Sequence, residues 1–380
     1  MRVRIAFLCI VVPLASTLVS CTHGPTPAAT RPSELVEGRG VAAGSTQPAF
    51  SQSILLVLHA GNTIVAKIAF TPDGKQLVSV AMDHTVRLWD LASGQEVGQF
   101  VGHTDYVTSV AISPDGKWLA TGADDNTVRI WDLKSRMEMH RFKNEKFQHP
   151  AESFSPDSSH LAVSEFPGVH IWDVSTFKQL QSFSDPHSYV TGVGFSADGK
   201  MLATTLDSGG MGWNGAAVWD ASSGQMLARF AATTTMMPDG SGPQQLTTDC
   251  ADFSPDGKFL VTAGLDVVRV WEIASQKLVK EISSTPKFPN VWDFGLGFFA
   301  ARFSHNGRYM LTAGGNNTLY IWEVGSWRVL RMFHGHFDRN PFEDHDYTDA
   351  EFSKDDSKVA ASSSDGSIWV WQLSQENGMK

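Results

Sequence analysis

Between residues 108 and 142 the chain alternates short runs of β-branched and aromatic residues with clusters of turn formers. The runs are 108–112, 118–121, 127–131 and 138–142, separated by Ser113-Pro114-Asp115-Gly116, Asp124-Asp125-Asn126 and Asp132-Leu133-Lys134-Ser135. Such punctuation predicts an antiparallel meander of four short strands. The unit repeats. Phe70-Thr71-Pro72-Asp73-Gly74 recurs with variations around Pro114, Pro156, Ala197, Pro255, His305 and Lys354, which marks seven turns. A second marker is Trp followed by an acid or amide, at Trp89, Trp131, Trp172, Trp219, Trp271, Trp322 and Trp371; the following residues are Asp90, Asp132, Asp173, Asp220, Glu272, Glu323 and Gln372. A length of 380 residues by itself suggests two or three domains. One four-stranded unit cannot bury its own faces, however, so neighbouring units must stack on one another.

These turns and Trp-Asp pairs resemble WD40 repeats over about residues 53–374. The resemblance implies an all-β, seven-bladed β-propeller, each blade four antiparallel strands around a central channel. Only nine residues follow Trp371, and Gln372 to Lys380 are too polar for a last outer strand. The missing strand is expected at the other end. Ser53-Ile54-Leu55-Leu56-Val57-Leu58-His59 holds the place before blade one that residues 138–142 hold before blade three. It should close the ring as the outer strand of blade seven and cover an otherwise open edge. The propeller is assigned to residues 51–375 and a polar tail to 376–380.

His103, Thr121, Asp125 and Trp131 bring an imidazole, a hydroxyl and a carboxylate into one repeat, a set that resembles a nucleophilic constellation. Recurrence argues against catalysis, because Ser79, Asp83 and Trp89 repeat the pattern in blade one, and His336, Ser362, Asp365 and Trp371 in blade seven. The WD40 resemblance implies a structural, hydrogen-bonded tetrad at these positions, and buried polar groups need such mutual satisfaction. Asn316 replaces the acid in blade six, and Phe166-Pro167-Gly168 stands where blade three should have one. Packing is expected to hold those two blades. His334, His336, Asp338, Glu343, Asp344, His345 and Asp346 offer metal donors, but without the spacing of a zinc or calcium site. The Gly209-Gly210 pair sits in a β-hairpin and opens no helix, so no phosphate loop is present. No catalytic residue, metal or other cofactor is therefore expected.

The N-terminus reads differently. Arg2 and Arg4 precede an apolar run over residues 5–19 that contains Pro13, the layout of an export signal covering residues 1–20. It ends Leu18-Val19-Ser20-Cys21, which resembles a bacterial lipobox and implies lipidation of Cys21. Residues 21–50, rich in Pro, Thr, Ala, Gly and Ser, read as a flexible tether. The expected place is the bacterial cell envelope, lipid-anchored and facing the periplasm or the cell exterior. With only Cys9, Cys21 and Cys250, no disulfide framework is possible. A formal charge of −10 removes the electrostatic footprint of a nucleic-acid binder. Loss of the two leader arginines makes the charge more negative still. Lipid, rather than charge, would have to hold the body at an anionic bilayer.

Spacing locates the expected partner surface. From each Trp to the proline-equivalent position of the next repeat there are 25 residues three times, then 36, 34 and 32. From each Trp to the apolar end of the fourth strand there are always 11, so the additions lie in the links between blades. Blade four also has an enlarged second hairpin around residues 207–216. In a four-strand meander these links and that hairpin emerge on one face. They carry Met211, Trp213, Met236, Met237, Phe288, Trp292, Phe294, Phe337 and Phe342, and Met and aromatic residues on loops favour protein contact. The expected function is a protein- or peptide-binding platform, monomeric alone, with no chemistry of its own. The alternatives are a periplasmic metal-assisted hydrolase on the same face, or a scaffold in outer-membrane protein assembly.

Overall fold

The Ser/Thr-x-Asp-Gly turns fold for local reasons. Ser113 Oγ donates to Asp115 Oδ1 at 2.5 Å and accepts from the Trp118 N–H at 2.8 Å, while the Lys117 N–H donates to Asp115 at 3.0 Å. Gly116 takes a φ of 71°, the left-handed conformation that glycine adopts without steric cost. The same hydroxyl-to-acid bond joins Thr71 to Asp73, Ser155 to Asp157, Ser196 to Asp198, Ser254 to Asp256 and Ser353 to Asp355, with Asn306 serving Ser304. Two turns put a side chain at the left-handed position, Ser158 at 62° and Asp356 at 55°. Each uses it to clip the preceding blade. Ser158 Oγ accepts from the Asp115 N–H at 3.0 Å, and the Asp356 carboxylate accepts from the His305 and Asn306 N–H groups at 2.8 Å each.

These turns recur in a computed structural model that describes residues 54–143, 150–165, 167–184, 189–207, 214–232, 234–236, 243–245, 248–264, 267–283, 298–314, 318–335 and 346–373. Seven four-stranded antiparallel sheets form the blades. Blade two, for example, consists of Val107–Ile112, Trp118–Ala123, Thr127–Asp132 and Glu138–Lys143, close to the four runs read from the sequence. The first strands of successive blades adjoin one another round the axis, and that of blade seven, Tyr347–Phe352, returns to that of blade one, Val65–Phe70. The link between blades four and five also carries a small ribbon, Thr234–Met236 paired with Pro243–Gln245, which the sequence pattern did not predict.

The ring closes through the N-terminal strand. Ile54–His59 pairs antiparallel with Ser367–Gln372, with Leu58 opposite Ile368 and Ile54 opposite Trp371. The Ala60 N–H adds a bond to the Gly366 carbonyl at 2.8 Å. Leu56 and Leu58 share an apolar cluster with Val65, Ile68, Trp89 and Leu91 of blade one, so the strand belongs to blade seven by pairing and to blade one by packing.

Five of the other six seams are built alike. The aromatic residue that ends an outer strand meets the Trp of the next blade: Phe100 with Trp131 at 5.8 Å between ring centroids, Phe142 with Trp172 at 4.4 Å, Phe183 with Trp219 at 5.3 Å, Phe230 with Trp271 at 5.5 Å and Phe333 with Trp371 at 5.3 Å. At the sixth, between blades five and six, Ile282 stands in the aromatic's place with Trp322 packed against its cluster. The core therefore lies between blades, not within them.

Candidate functional site

One face of the ring carries the second hairpins and the links between blades. Their backbones are tied together there: the Met82 N–H donates to the Ile64 carbonyl at 3.0 Å, Asp124 to Tyr106 at 2.9 Å and Ser364 to Asp346 at 3.0 Å. Each long insertion leaves and rejoins the described structure on this face, from Met201–Asp207 to Gly215–Asp220, from Met226–Ala231 to Thr248–Phe253, from Lys277–Ser283 to Phe298–Phe303, and from Arg328–His334 to Tyr347–Phe352. Cys21, Met211, Trp213, Met237, Phe288, Trp292, Phe294, His336, Phe337 and Phe342 lie outside the described residues, as does Asn316. Met236 is described only as backbone, at the end of the small ribbon. On the opposite face the turn acids are occupied within their own turns. Hydrogen bonds from Ser155 and Ser159 pull Asp157 down to about 2, and those from Ser353 and Ser357 do the same for Asp355.

Under the insertion-bearing face, blade two holds a continuous polar chain. The Trp131 Nε1–H donates to Thr121 Oγ1 at 2.8 Å, Thr121 Oγ1 lies 2.8 Å from His103 Nε2, and His103 Nδ1 lies 3.0 Å from Asp125 Oδ2. All three contacts are satisfied at once if the imidazole is neutral, with Nδ1–H donating to Asp125 and Nε2 accepting the Thr121 proton. Electrostatics favours that state: burial lowers the His103 pKa, against the pull of Asp125. Burial opposes the charge on Asp125 as well, but hydrogen bonds from Thr127, His103 and the Thr104 N–H outweigh it and hold the carboxyl below the usual range. Thr121 Oγ1 has its proton engaged and its lone pair occupied, and it is fully buried. A hydroxyl in that position has no path to a substrate. We expect Asp125→Ala to cost about 1–3 kcal/mol by stranding these partners. Urea denaturation measures the loss, and binding assayed on the folded fraction should be unchanged; loss of a defined activity at full stability would restore the nucleophilic reading.

The indole-to-hydroxyl bond recurs as Trp89 to Ser79 at 2.8 Å, Trp219 to Thr204 at 2.9 Å, Trp271 to Thr262 at 3.0 Å and Trp322 to Thr312 at 3.0 Å. Blade seven departs from the expectation. Cross-strand register places Thr121 opposite Arg129 in blade two and Ala361 opposite Trp369 in blade seven, so the equivalent of Thr121 is Ala361, not Ser362. Ser362 faces the other way and bonds Thr348 Oγ1 at 2.9 Å. The Trp371 Nε1–H consequently has no acceptor among the described residues, while Asp365 accepts from the Ser367 N–H at 2.9 Å and hydroxyl at 2.6 Å. In blade three, Val163 occupies the hydroxyl position and Trp172 Nε1 likewise has no partner among the described residues.

Several carboxylates that spacing did not single out line the inner strands. Asp349 Oδ2 accepts from the Ile68 N–H at 3.2 Å, and its other oxygen lies 3.7 Å from Lys67 Nζ and 3.4 Å from an Arg302 nitrogen. Glu351 accepts from the Phe70 N–H at 3.0 Å, and Asp252 from the Phe303 N–H at 2.8 Å. Burial raises the pKa of Asp252 and pushes Glu351 up to about 7. Raised carboxyls near an axis resemble a pair of acid and base groups. Both are nevertheless occupied by the free backbone edge of the next blade's inner strand, which gives them a structural task. The His334 ring is engaged too, with Nδ1 at 2.9 Å from Thr318 Oγ1. Among the described residues no group of three or more His, Cys, Asp and Glu side chains is arranged to hold a metal.

A family model described as the IFT122 first beta-propeller matches residues 64–372. Among curated proteins, Protein ROOT INITIATION DEFECTIVE 3 of Arabidopsis thaliana is 36% identical over 70 residues, 18% of this chain and 14% of that protein. Protein HIR1 of Cryptococcus neoformans var. neoformans serotype D is 27% identical over 138 residues, 31% of this chain and 15% of that protein. Mitochondrial division protein 1 of Mycosarcoma maydis is 49% identical over 43 residues, 11% of this chain and 5% of that protein. The matched stretches thus span about a seventh or less of the length of these relatives.

Proposed function

The chain belongs to the family of the IFT122 first beta-propeller, a WD40-type propeller, and from that premise we propose that it is a protein-binding scaffold of the bacterial cell envelope, held to a membrane by lipid on Cys21. The binding surface is the insertion-bearing face of blades four to seven. One observation carries this reading: the three enlarged links and the enlarged hairpin all leave from the same face, while the opposite face repeats one compact turn seven times. Random growth of loops would not select a face. Met and aromatic residues in those segments supply the type of side chain that dominates interface energy. Lipidation rests on Leu18-Val19-Ser20-Cys21 after a basic, apolar leader. No chemistry is assigned to the protein, since its triad-like groups and the raised carboxyls Asp252 and Glu351 are engaged within the fold.

The test is crosslinking in intact cell envelopes, comparing wild type with Trp213→Ala, Trp292→Ala and a variant shortened within residues 207–216. If either Trp is an anchor, its loss should weaken capture of the wild type's crosslinked species by about 2 kcal/mol or more, with folding unchanged. Cys21→Ala should release the protein from the membrane fraction or block its processing. Full capture by all three loop variants would move the partner surface to the compact blades, and an unmodified, soluble mature wild type would remove the anchor.

A further inference from the structure

The seam between blades two and three contains a carboxyl group that neither the tetrads nor the insertion-bearing face explains. Glu152 stands two residues before the end of the inner strand Glu152–Phe154. The same position is Ile68, Val110, Val193, Ala251, Ala301 and Ala350 in the other six blades. A carboxyl therefore occupies a place that is apolar everywhere else round the ring. It is 7% exposed. Oε2 accepts from Ser109 Oγ of blade two at 2.7 Å, and Oε1 has no hydrogen-bond partner among the described residues. Gly122 completes the wall, since a Cβ there would lie 2.4 Å from Ser109 Oγ, 2.8 Å from Pro150 Cγ and 3.0 Å from Glu152 Oε2.

The surroundings offer no compensating charge among the described residues. The blade-two strands that meet Glu152, Val107–Ile112 and Trp118–Ala123, carry no titratable side chain. Within blade three, register places Val163 beside Glu152 and His170 beyond Val163 on the same face. His170 Nε2 lies 3.5 Å from Glu165, and among the described residues its Nδ1 and Trp172 Nε1 have no partner. Three unmatched polar groups thus interrupt an otherwise apolar seam of Ala120, Val128, Ile130, Phe142, Phe154 and Leu161. A neutral carboxyl can remain in such a place at moderate cost, whereas an unpaired carboxylate cannot.

We propose that Glu152 is a proton-controlled joint: protonated, it stays folded into the seam between blades two and three, and on losing its proton it draws water in and loosens that seam while the rest of the ring stays closed. Burial pushes this carboxyl up to about 8, which puts the transition just above neutrality. The sign follows from linkage. A folded pKa above the unfolded one means that the contribution to stability is complete below the unfolded value and is lost as pH rises through about 8. The joint does not depend on where a partner docks.

Hydrogen–deuterium exchange of the full chain at pH 6 and pH 9, corrected for the intrinsic exchange rate, tests it. The variants are Glu152→Gln, which keeps size and hydrogen bonding, and Glu152→Leu, which restores the apolar type of the other blades. Corrected exchange in Glu152–Phe154, His160–Glu165 and Trp118–Ala123 should rise about tenfold or more in the wild type and stay flat in Glu152→Gln. The blade-five strand Phe259–Gly264 should not respond in either. An equal rise in Glu152→Gln, a flat wild type, or a rise shared by blade five would each overturn the joint. If Glu152→Leu folds, it must be flat as well.

Discussion

Leu58→Asp is expected to abolish most of the stability of the ring. Leu58 is 1% exposed and packs with Trp89 and Leu91 across the last seam, so the substitution removes a buried side chain worth about 1.5–3 kcal/mol. It also puts a carboxylate among apolar groups with no partner, and the combined loss should exceed about 4 kcal/mol. Domains of ordinary stability have only about 5–15 kcal/mol in total. Blade seven would then lose its outer strand, and blade one the wall against which its Trp packs. Urea unfolding followed by Trp fluorescence gives the midpoint. A midpoint equal to that of the wild type would mean that residues 54–59 contribute pairing without closing anything.

Gly366→Ala should cost nearly as much, for a different reason. Gly366 has a φ of 87°, and a Cβ there would lie 1.9 Å from the Gly61 carbonyl oxygen and 2.9 Å from that of Thr63. Both obstacles are backbone atoms of the segment that leads out of the closing strand, so neither can swing aside as a side chain would. Gly74 is the control. Its φ is 65°, but the nearest atom to a Cβ is the mobile end of Lys358 at 3.9 Å. Gly74→Ala should cost only the left-handed backbone term, about 1–2 kcal/mol. Gly366→Ala adds displacement of the closing segment and should exceed about 3 kcal/mol. Parallel urea titrations decide it: equal losses in the two variants would mean that the contact with Gly61 relaxes freely.

The architecture was legible because its information is local and repeated. Each Ser/Thr-x-Asp-Gly turn satisfies itself within six residues, so its four copies and three close variants can be recognised without knowing what they touch. Each Trp marks a third strand, and the count of strands at the two chain ends assigned Ile54–His59 to blade seven. The face of a side chain was harder to read. Counting ten residues back from Trp371 reaches Ala361, but Ser362 beside it has the residue type that the tetrad calls for. Side chains alternate along a strand, so a choice by type that is one residue out lands on the opposite face. Only register resolves it. Glu152 was missed because its significance is comparative: it emerges when the seven inner strands are aligned by their ends, which leaves one acid among aliphatic residues. Asp252, Asp349 and Glu351 bond the backbone of neighbouring blades, and spacing within a repeat carries no record of those contacts. For the proposed partner residues, from Met211 to Phe342, the sequence remains the whole basis.

The closing strand has a mechanical consequence. Residues upstream of Ile54 enter the ring through its outermost strand, at the end where Ile54 faces Trp371. A pull on those residues is therefore borne first by the pairing of Ile54–His59 with Ser367–Gln372, and by the packing of Leu56 and Leu58 against blade one. Tension would peel the strand from its Ile54 end, bond by bond, before reaching any other blade, and slackening would let the same six residues zip back. Loading from the insertion-bearing face would bypass this fuse, since the links there are anchored at both ends in strands of adjoining blades.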